Sequence, residues 1–385
     1  MEQARIAQRI EVVDVIRGFA IMAILLLHNI EHFDFINRPD YLPDFVKALD
    51  KSIFAVARFL FSGKAYAIFA LLFGFTFFLQ LNKQQKLGKD FRGRFAWRML
   101  ILLLFGVVNS AFYLGDILMI YATIAFFLLP VFNLSNRNLL IIAIICLLQP
   151  IALFSITKII SDPSIEFVKV SYFKGTKEYL ANGSFFEVLW SNLTIGKKAV
   201  WLWSWEKGRF LQTYALFLLG YLAGRKGVFL PQHRKVWGKV LVYALIAAVI
   251  LFLAESLSNE YISRKAVSKP VGELISSWYN FSFMLCWVAL INLLFIYESF
   301  RKCTHFLSYI GKMALTNYMM QSVIGSFLYY GFGLGLYYYT GASYSLLIGI
   351  LILVFQVYFC KWWLRTHARG PMESIWHRLT WIRKS

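Results

Sequence analysis

The sequence predicts an all-α protein, a polytopic transmembrane helix bundle of about ten spans, and three observations support this prediction. First, 59% of the 385 residues are hydrophobic and only 16% are charged, whereas about a quarter of an average soluble domain is charged. Second, long uncharged runs recur along the chain, and about 20 apolar residues in a helix cross a bilayer. Third, the basic residues cluster in short segments between those runs. We expect one transmembrane domain over residues 1–385.

Ten apolar runs satisfy the length criterion for a span. Two long outer segments, 31–63 and 160–208, separate some of them and are predicted to hold short interfacial helices. An even number of spans places both termini on the same side of the membrane. The approximate bounds of the spans, in chain order, are 12–30, 64–81, 97–114, 116–134, 138–159, 209–224, 237–255, 278–298, 313–334 and 344–363.

The positions of the positive charges predict the orientation. In a soluble protein a net charge of +20 would indicate nucleic-acid binding. Here the Lys and Arg residues concentrate in segments that the ten-span scheme places on one side, together with Arg5 and Arg9. Cytoplasmic loops of membrane proteins carry such an excess, so we predict cytoplasmic termini and no nucleic-acid partner. The basic segments are 82–97, 225–236, 299–312 and 364–385.

The first span, VVDVIRGFAIMAILLLHNIEH (12–32), carries polar residues at both ends. Arg17 and His28 are eleven residues apart, which is three helical turns plus about 20°, so they share a face about 16 Å apart along the axis. Asp14 lies one turn from Arg17, and His32 one turn from His28. Such a stripe is costly against lipid, so we expect it to face the bundle interior or a wet cavity.

Two interpretations of these polar ends stay open. Asp14 and Arg17 could be an ion pair near the membrane boundary, and His28 a hydrogen-bonded interfacial histidine. Alternatively, His28 acts as a base near neutral pH, and Arg17 binds an anionic or carbonyl-bearing ligand with its planar guanidinium.

Other polar residues near the His28 end are candidate members of the same site. Asp116 or Glu31 could orient the imidazole of His28, as in a catalytic triad. Asp116 is equally suited to be the N-cap of the fourth helix. Asn29 and His32 follow His28 in the sequence and complete the predicted catalytic set.

Six stretches resemble, in order along the chain, segments of the YeiB family of bacterial membrane proteins, whose domain is of unknown function. The departure from the family is at the end of the first stretch, where YeiB-like sequences often have Asn and this chain has His28 followed by Asn29. The stretches are DVIRGFAIMAILLLHN (14–29), KAYAIFALLFGFTF (64–77), LGDILMIYA (114–122), FLLGYLAGRKG (217–227), GKMALTNYMMQS (311–322) and RGPMESIWHRLTW (369–381).

This resemblance implies membership of a transmembrane acyltransferase superfamily that includes the lysosomal heparan N-acetyltransferase and bacterial O-acyltransferases of surface polysaccharides. In those relatives an acyl-CoA approaches from the cytoplasm, and the acyl group reaches an acceptor across the membrane. The spacing of arginine, ten residues and histidine in the O-acyltransferases is matched here by Arg17 and His28. The implied location is the bacterial cytoplasmic (inner) membrane.

Further residues are candidates for binding the donor. Arg92, Arg94 and Arg98 could bind the phosphates of coenzyme A, although the positive-inside rule alone explains basic residues there. Asn317 and Gln321 share a helix face and could line the path of the pantetheine arm, or they could simply hydrogen-bond between helices. The six histidines show no metal-ligand spacing, so no metal is predicted.

The leading functional prediction is therefore an acyl-CoA-dependent membrane acyltransferase, with acetyl-CoA as the first choice of donor. Its acceptor would be a hydroxyl or amine of a glycan, a lipid or a small molecule at the outer face. The alternative is a transporter or flippase for a small anionic or lipid-linked solute. Membrane lipids are expected partners, and the sequence leaves the oligomeric state open, a homo-oligomer included.

Overall fold

The computed structural model describes residues 10–37, 39–166 and 171–381, and every regular element in these ranges is helical. The predicted all-α class is therefore confirmed. Arg5, Arg9 and the last four residues of the basic tail lie outside the described residues.

Among the described residues, short helical turns link several of the helices. Short 3₁₀ turns occur at Phe126–Leu128, Pro231–His233 and Leu336–Tyr338, and a π-helical turn, Asn192–Gly196, joins α9 to α10. The α-helices are α1 (Glu11–Ile30), α2 (Asp44–Phe61), α3 (Ala65–Lys86), α4 (Arg92–Phe112), α5 (Leu118–Ala125), α6 (Asn136–Leu148), α7 (Pro150–Ser161), α8 (Thr176–Asn182), α9 (Phe185–Ser191), α10 (Lys197–Glu206), α11 (Arg209–Arg225), α12 (Arg234–Tyr261), α13 (Lys265–Leu294), α14 (Glu298–Lys312), α15 (Ala314–Tyr329), α16 (Ala342–Trp363) and α17 (Pro371–Thr380).

Each of the ten predicted spans coincides with one of these helices or with the pair α6 and α7. Within the described residues, seven helical segments are long and apolar enough to cross a membrane. The predicted spans 116–134, 209–224 and 313–334 coincide with the shorter helices α5, α11 and α15. The chain is thus an all-helical bundle of the membrane type.

The segment 299–312, predicted to be a basic loop, is the helix α14. Leu307 and Ile310 are buried on one side of it, while Arg301 and Lys302 are exposed on the other. Charge density predicted a loop, whereas this alternation is that of an amphipathic helix. Glycines bring α14 close to α1: a Cβ on Gly311 would collide with the carbonyl oxygen of Asp14.

The helix α1 lies at the centre of the bundle, and most of its residues are buried. It packs against α3, α14, α15 and α16. By contrast, α12 and α16 expose many large apolar side chains, such as Tyr243, Ile250 and Leu351, as expected of helices that face lipid. The polar ends of α1 therefore lie inside the bundle, at opposite ends.

Candidate functional site

Arg17 is held in place by three neighbouring elements. Its guanidinium forms an ion pair with Asp14, with 3.0 Å between Nη1 and Oδ1. It also donates to the hydroxyl of Thr76 on α3 at 3.2 Å and to the carbonyl oxygen of Gly311 on α14 at 3.3 Å. The guanidinium is thus oriented before any ligand arrives.

A cavity of about 410 Å³ opens beside Arg17. We call it the Arg17 cavity, and we call this end of the bundle the Arg17 end. Cationic side chains and aromatic rings share its walls, with one carboxylate, Glu373, among them. The cations are Arg17, Arg98, Lys312 and Arg369, and the rings include Phe69, Phe73, Phe77 and Trp376.

The helix α17 covers one side of the Arg17 cavity and is fastened to α4. The indole nitrogen of Trp376 donates to the carbonyl oxygen of Arg98 at 3.0 Å. The central carbon of the Arg98 guanidinium lies 3.6 Å from the centroid of the Trp376 ring. Arg94 donates to the carbonyl oxygen of Thr380 at 2.8 Å. Cation–π stacking of this kind fixes the plane of an arginine.

Glu373 connects α17 to the start of α15. Its carboxylate accepts hydrogen bonds from the amides of Leu315 (2.8 Å) and Thr316 (3.2 Å) and from the Thr316 hydroxyl (2.5 Å). These amides are the unpaired donors of a helix N-terminus. Burial raises the pKa of Glu373, and its hydrogen bonds with Thr316 and Leu315 oppose that rise.

At the other end of α1, which we call the His28 end, His28 is partly buried against aromatic residues. The Tyr113 hydroxyl lies 3.1 Å from its Nδ1 and 3.5 Å from its Nε2. The Asp34 carboxylate lies beside the same hydroxyl and acts on it electrostatically. A Cβ on Gly115 would collide with both Asp34 and Tyr113. His28, Tyr113 and Asp34 are therefore neighbours at this end of α1, with a hydrogen bond between His28 and Tyr113.

The backbone that brings Asp34 back to this site is strained. His32, Phe33 and Asp34 have φ angles of 49°, 53° and 67°, a region that residues other than glycine seldom occupy. The Phe33 amide donates to the His28 carbonyl oxygen at 2.7 Å, which closes the turn. Three consecutive residues of this kind are costly and tend to mark functional sites.

Sequence reasoning missed Tyr113 and Asp34. Asp34 follows the end of α1, so helical periodicity places no constraint on it. Tyr113 immediately precedes the stretch LGDILMIYA, and its position beside that stretch was the available signal.

The structure gives the predicted partners of His28 other contacts. Asp116 is fully buried and accepts hydrogen bonds from Asn109 (2.8 Å), Ser110 (3.2 Å) and the Met119 amide (3.2 Å) in the first turn of α5, whose N-cap is Ile117. Its carboxylate also lies 3.9 Å from Nζ of Lys197. The orienting chain at His28 instead runs through Tyr113.

The Glu31 carboxylate lies 3.8 Å from the guanidinium of Arg58. Burial and the charge of Asp34 raise the pKa of Glu31 to about 7, against the opposing effect of Arg58 and Arg209.

Asn29 and His32 point toward α15 and α16. Asn29 accepts from the Tyr329 hydroxyl at 3.1 Å, and Nε2 of His32 lies 2.9 Å from the Ser345 hydroxyl. Burial lowers the pKa of His32 to about 4. Both residues thus serve helix packing beside the site.

Of the remaining residues predicted to bind the donor, some line the Arg17 cavity and others are paired elsewhere. Arg98 lines the Arg17 cavity, whereas Arg92 is paired with Asp90 in the loop before α4. Asn317 donates to the carbonyl oxygen of Met313 at 2.9 Å. Gln321 donates to the carbonyl oxygen of Ile21 at 3.4 Å. The side-chain amides of α15 therefore make interhelical and local hydrogen bonds, which is the alternative to lining the path of the pantetheine arm.

The expected polar stripe along α1 is interrupted. Ile21 and Ile24 lie on the same face between Arg17 and His28, and they are 0% and 5% exposed. The polar stations are thus separated by packed apolar side chains. Helical arithmetic related the two ends correctly but did not consider the residues between them.

Comparison with known proteins shows which proteins the chain resembles. Residues 223–383 match the family model described as Protein of unknown function (DUF418). The chain is 27% identical to "Uncharacterized protein YxaH" of Bacillus subtilis (strain 168), over 97% of this chain and 95% of that protein. It is 25% identical to "Uncharacterized protein YeiB" of Escherichia coli (strain K12), over 95% of each. No solved structure matches the chain significantly.

The C-terminal part of the chain is therefore similar to the DUF418 family, and the chain over nearly its whole length is similar to YxaH and YeiB.

The region that matches the DUF418 model supplies α14, α15 and α17, which form one side of the Arg17 cavity. Four of the six YeiB-like stretches contribute to its walls, through Arg17, Thr76, Lys312 and Arg369. The stretches are distant in sequence and meet at this cavity.

Proposed function

We propose that this protein is an integral-membrane acyltransferase of the bacterial inner membrane. An acyl-CoA, with acetyl-CoA as the first choice, binds in the Arg17 cavity from the cytoplasm, where both termini also lie. The acyl group passes to a hydroxyl or amine acceptor near His28 on the outer face. Membership of the transmembrane acyltransferase superfamily is part of this proposal.

The observation that carries the proposal is the composition of the Arg17 cavity. Coenzyme A is a polyanion with a flat base and a long, mostly apolar arm. Arginine forks bind phosphate oxygens, and the cavity brings together Arg17, Arg98 and Arg369 with several aromatic rings. Its volume of about 410 Å³ lies within the range of small-molecule sites. The mixture of cations and rings matches this donor better than it matches a simple inorganic anion.

The chemistry at the His28 end follows from its hydrogen bonds. The neutral imidazole takes the proton of the acceptor hydroxyl or amine as the acceptor attacks the thioester carbonyl. The tetrahedral intermediate then expels the coenzyme A thiolate, which takes up a proton from the imidazolium. Tyr113 and Asp34 hold the imidazole in one orientation, and the carboxylate stabilises the imidazolium.

Transfer requires the donor arm to pass Ile21 and Ile24. In the structure these side chains fill the space between the two stations. The reaction therefore includes a conformational step in which α1 and its neighbours separate enough to admit the thioester.

A transporter or flippase for a small anionic or lipid-linked solute is the second candidate. The closed centre between two polar ends favours it, because alternating access needs such a barrier.

The test is acyl-CoA turnover by the purified full chain, measured as release of free thiol in the presence of membrane lipids and glycans. We expect turnover by the wild type and at least a hundredfold loss, the lower end of about 10²–10⁴ for a general base, in His28→Gln. Turnover at the wild-type rate in His28→Gln would reject the assigned base. Solute uptake into proteoliposomes without thiol release would favour the transporter.

A further inference from the structure

A second cavity, of about 460 Å³, lies at the His28 end, among the end of α2, the start of α11 and the first half of α13. We call it the Arg209 pocket. Its walls are strongly polar and carry four cations and two carboxylates. The cations are Arg58, Lys207, Arg209 and Lys269, and the carboxylates are Glu255 and Glu273.

Arg209 is the best-oriented cation of the pocket. Its guanidinium is stacked between the rings of Trp203 and Tyr66, with its central carbon 4.2 Å and 4.7 Å from their centroids. Among the described residues it forms no hydrogen bond and no ion pair. The rings occupy the faces of the guanidinium, and its N–H donors stay available for a ligand.

The charges of the pocket do not balance. Lys207 forms an ion pair with Glu273 across the pocket. Glu255 is electrostatically coupled to Lys64, which is buried beside it. The positive charges of Arg58 and Arg209 both favour the ionised carboxylate of Glu31. The pocket therefore retains an excess of positive charge, which favours an anionic ligand.

Neutral donors and acceptors line the rest of the wall. Gln212 is fixed by the Tyr66 hydroxyl and by its own hydrogen bond to the Ser277 carbonyl oxygen at 3.1 Å. Ser276 and Asn280 also line the pocket. Groups of this kind recognise hydroxyls, because each can donate and accept hydrogen bonds.

The pocket is linked to the candidate catalytic residues through Glu31. The Glu31 carboxylate lies 3.8 Å from Arg58 in the pocket wall, and Glu31 follows His28 by three residues, about one helical turn. A ligand bound at Arg58 and Arg209 is thus positioned next to the His28 end of α1.

We propose that the Arg209 pocket binds an anionic head group that carries hydroxyls, of the phosphoglycerol class, and that this is the acceptor. The inference rests on the proposed function, and it names the class of molecule that the outer site takes. A lipid head group and a free phosphorylated polyol share this chemistry.

The experiment uses the full chain in phosphatidylcholine nanodiscs. One arm titrates soluble glycerol 3-phosphate by calorimetry. The other arm replaces part of the lipid with phosphatidylglycerol and follows the Tm. Both arms are repeated with Arg209→Gln, with Lys269→Gln in case the first variant folds poorly, and with Lys198→Gln. Lys198 is an exposed cation of α10 that lies outside the pocket, so it is the matched charge control.

We expect saturable binding in at least one arm, about tenfold weaker in the two pocket variants and within about twofold of wild type in the control. A response to phosphatidylglycerol alone would identify the lipid as the source, and a response to glycerol 3-phosphate alone the free polyol. No response in either arm, or an equal loss in Lys198→Gln, would overturn the proposal. Coenzyme A binding is measured on the same samples: if it persists while both arms fail, only this inference is rejected, and the proposed function stands.

Discussion

The Tyr113 hydroxyl lies 3.1 Å from Nδ1 of His28, across 85 residues of sequence. The Asp34 carboxylate lies beside the same hydroxyl, on the strained turn after α1. An imidazole, a phenol and a carboxylate are thereby joined at the end of the central helix. The arrangement resembles the logic of a triad, with the tyrosine between the base and the carboxylate.

Tyr113→Phe removes this link and keeps the ring that packs against His28. We expect kcat to fall about tenfold or more. This is a smaller loss than the rate decrease of about 10²–10⁴-fold that is expected when the base itself is removed. The KM for acyl-CoA should change little, because Tyr113 lies far from the Arg17 cavity. A shift in the pH profile of kcat would show that the tyrosine acts through the imidazole. Tyr214→Phe, whose hydroxyl bonds the Phe127 carbonyl oxygen elsewhere, is the control.

Arg98→Gln is predicted to weaken coenzyme A binding about tenfold or more, since a charge-assisted hydrogen bond contributes about 1.5–3 kcal/mol. Calorimetry with free coenzyme A measures this. Arg94→Gln is the matched control, because Arg94 fastens α17 through Thr380 but does not line the cavity. Equal losses in both variants would mean that only the attachment of α17 matters, contrary to a direct phosphate contact.

Glu31 and His32 are predicted to give pH effects of opposite sign. The pKa of Glu31 is raised to about 7, so the folded state binds more protons than the unfolded state, and stability falls as the pH rises from about 4.5 to about 7. The pKa of His32 is lowered to about 4, so the unfolded state binds more protons, and stability rises with pH between about 4 and about 6.5.

The two effects oppose each other in the wild type, and single variants separate them. Glu31→Gln should leave a Tm that rises with pH over this window, and His32→Gln one that falls. Tm measured in detergent from pH 4 to pH 7.5 checks both. Identical slopes in the two variants would contradict the assignment.

Ile24→Ala tests the barrier between the two stations. The loss of a buried isoleucine side chain should destabilise the protein by about 2–5 kcal/mol, and if passage of the thioester limits turnover, kcat should rise severalfold. Val15→Ala, which shortens a fully buried side chain elsewhere on α1, is the control. A fall in kcat equal to that of Val15→Ala would count against a donor route along α1.

Much of the fold could be predicted from the sequence, because apolar runs of span length depend on local composition. The position of α1 inside the bundle followed from its polar ends, since Asp14 and Arg17 are costly in lipid. The prediction was wrong for 299–312, where charge density hid the helical period of α14. It also missed the apolar barrier at Ile21 and Ile24.

The sequence by itself determined the helical membrane class, the YeiB-like resemblance and the shared face of Arg17 and His28, because helix geometry and span length are local properties. Only the tertiary structure decided which side chains meet these two residues. Asp34 reaches Tyr113 through three left-handed residues, Asp116 is committed to Asn109 and Lys197, and Arg98 of α4 lines the same cavity as Arg17 of α1. These contacts join elements far apart in the chain, and their energies depend on packing, which no local pattern specifies.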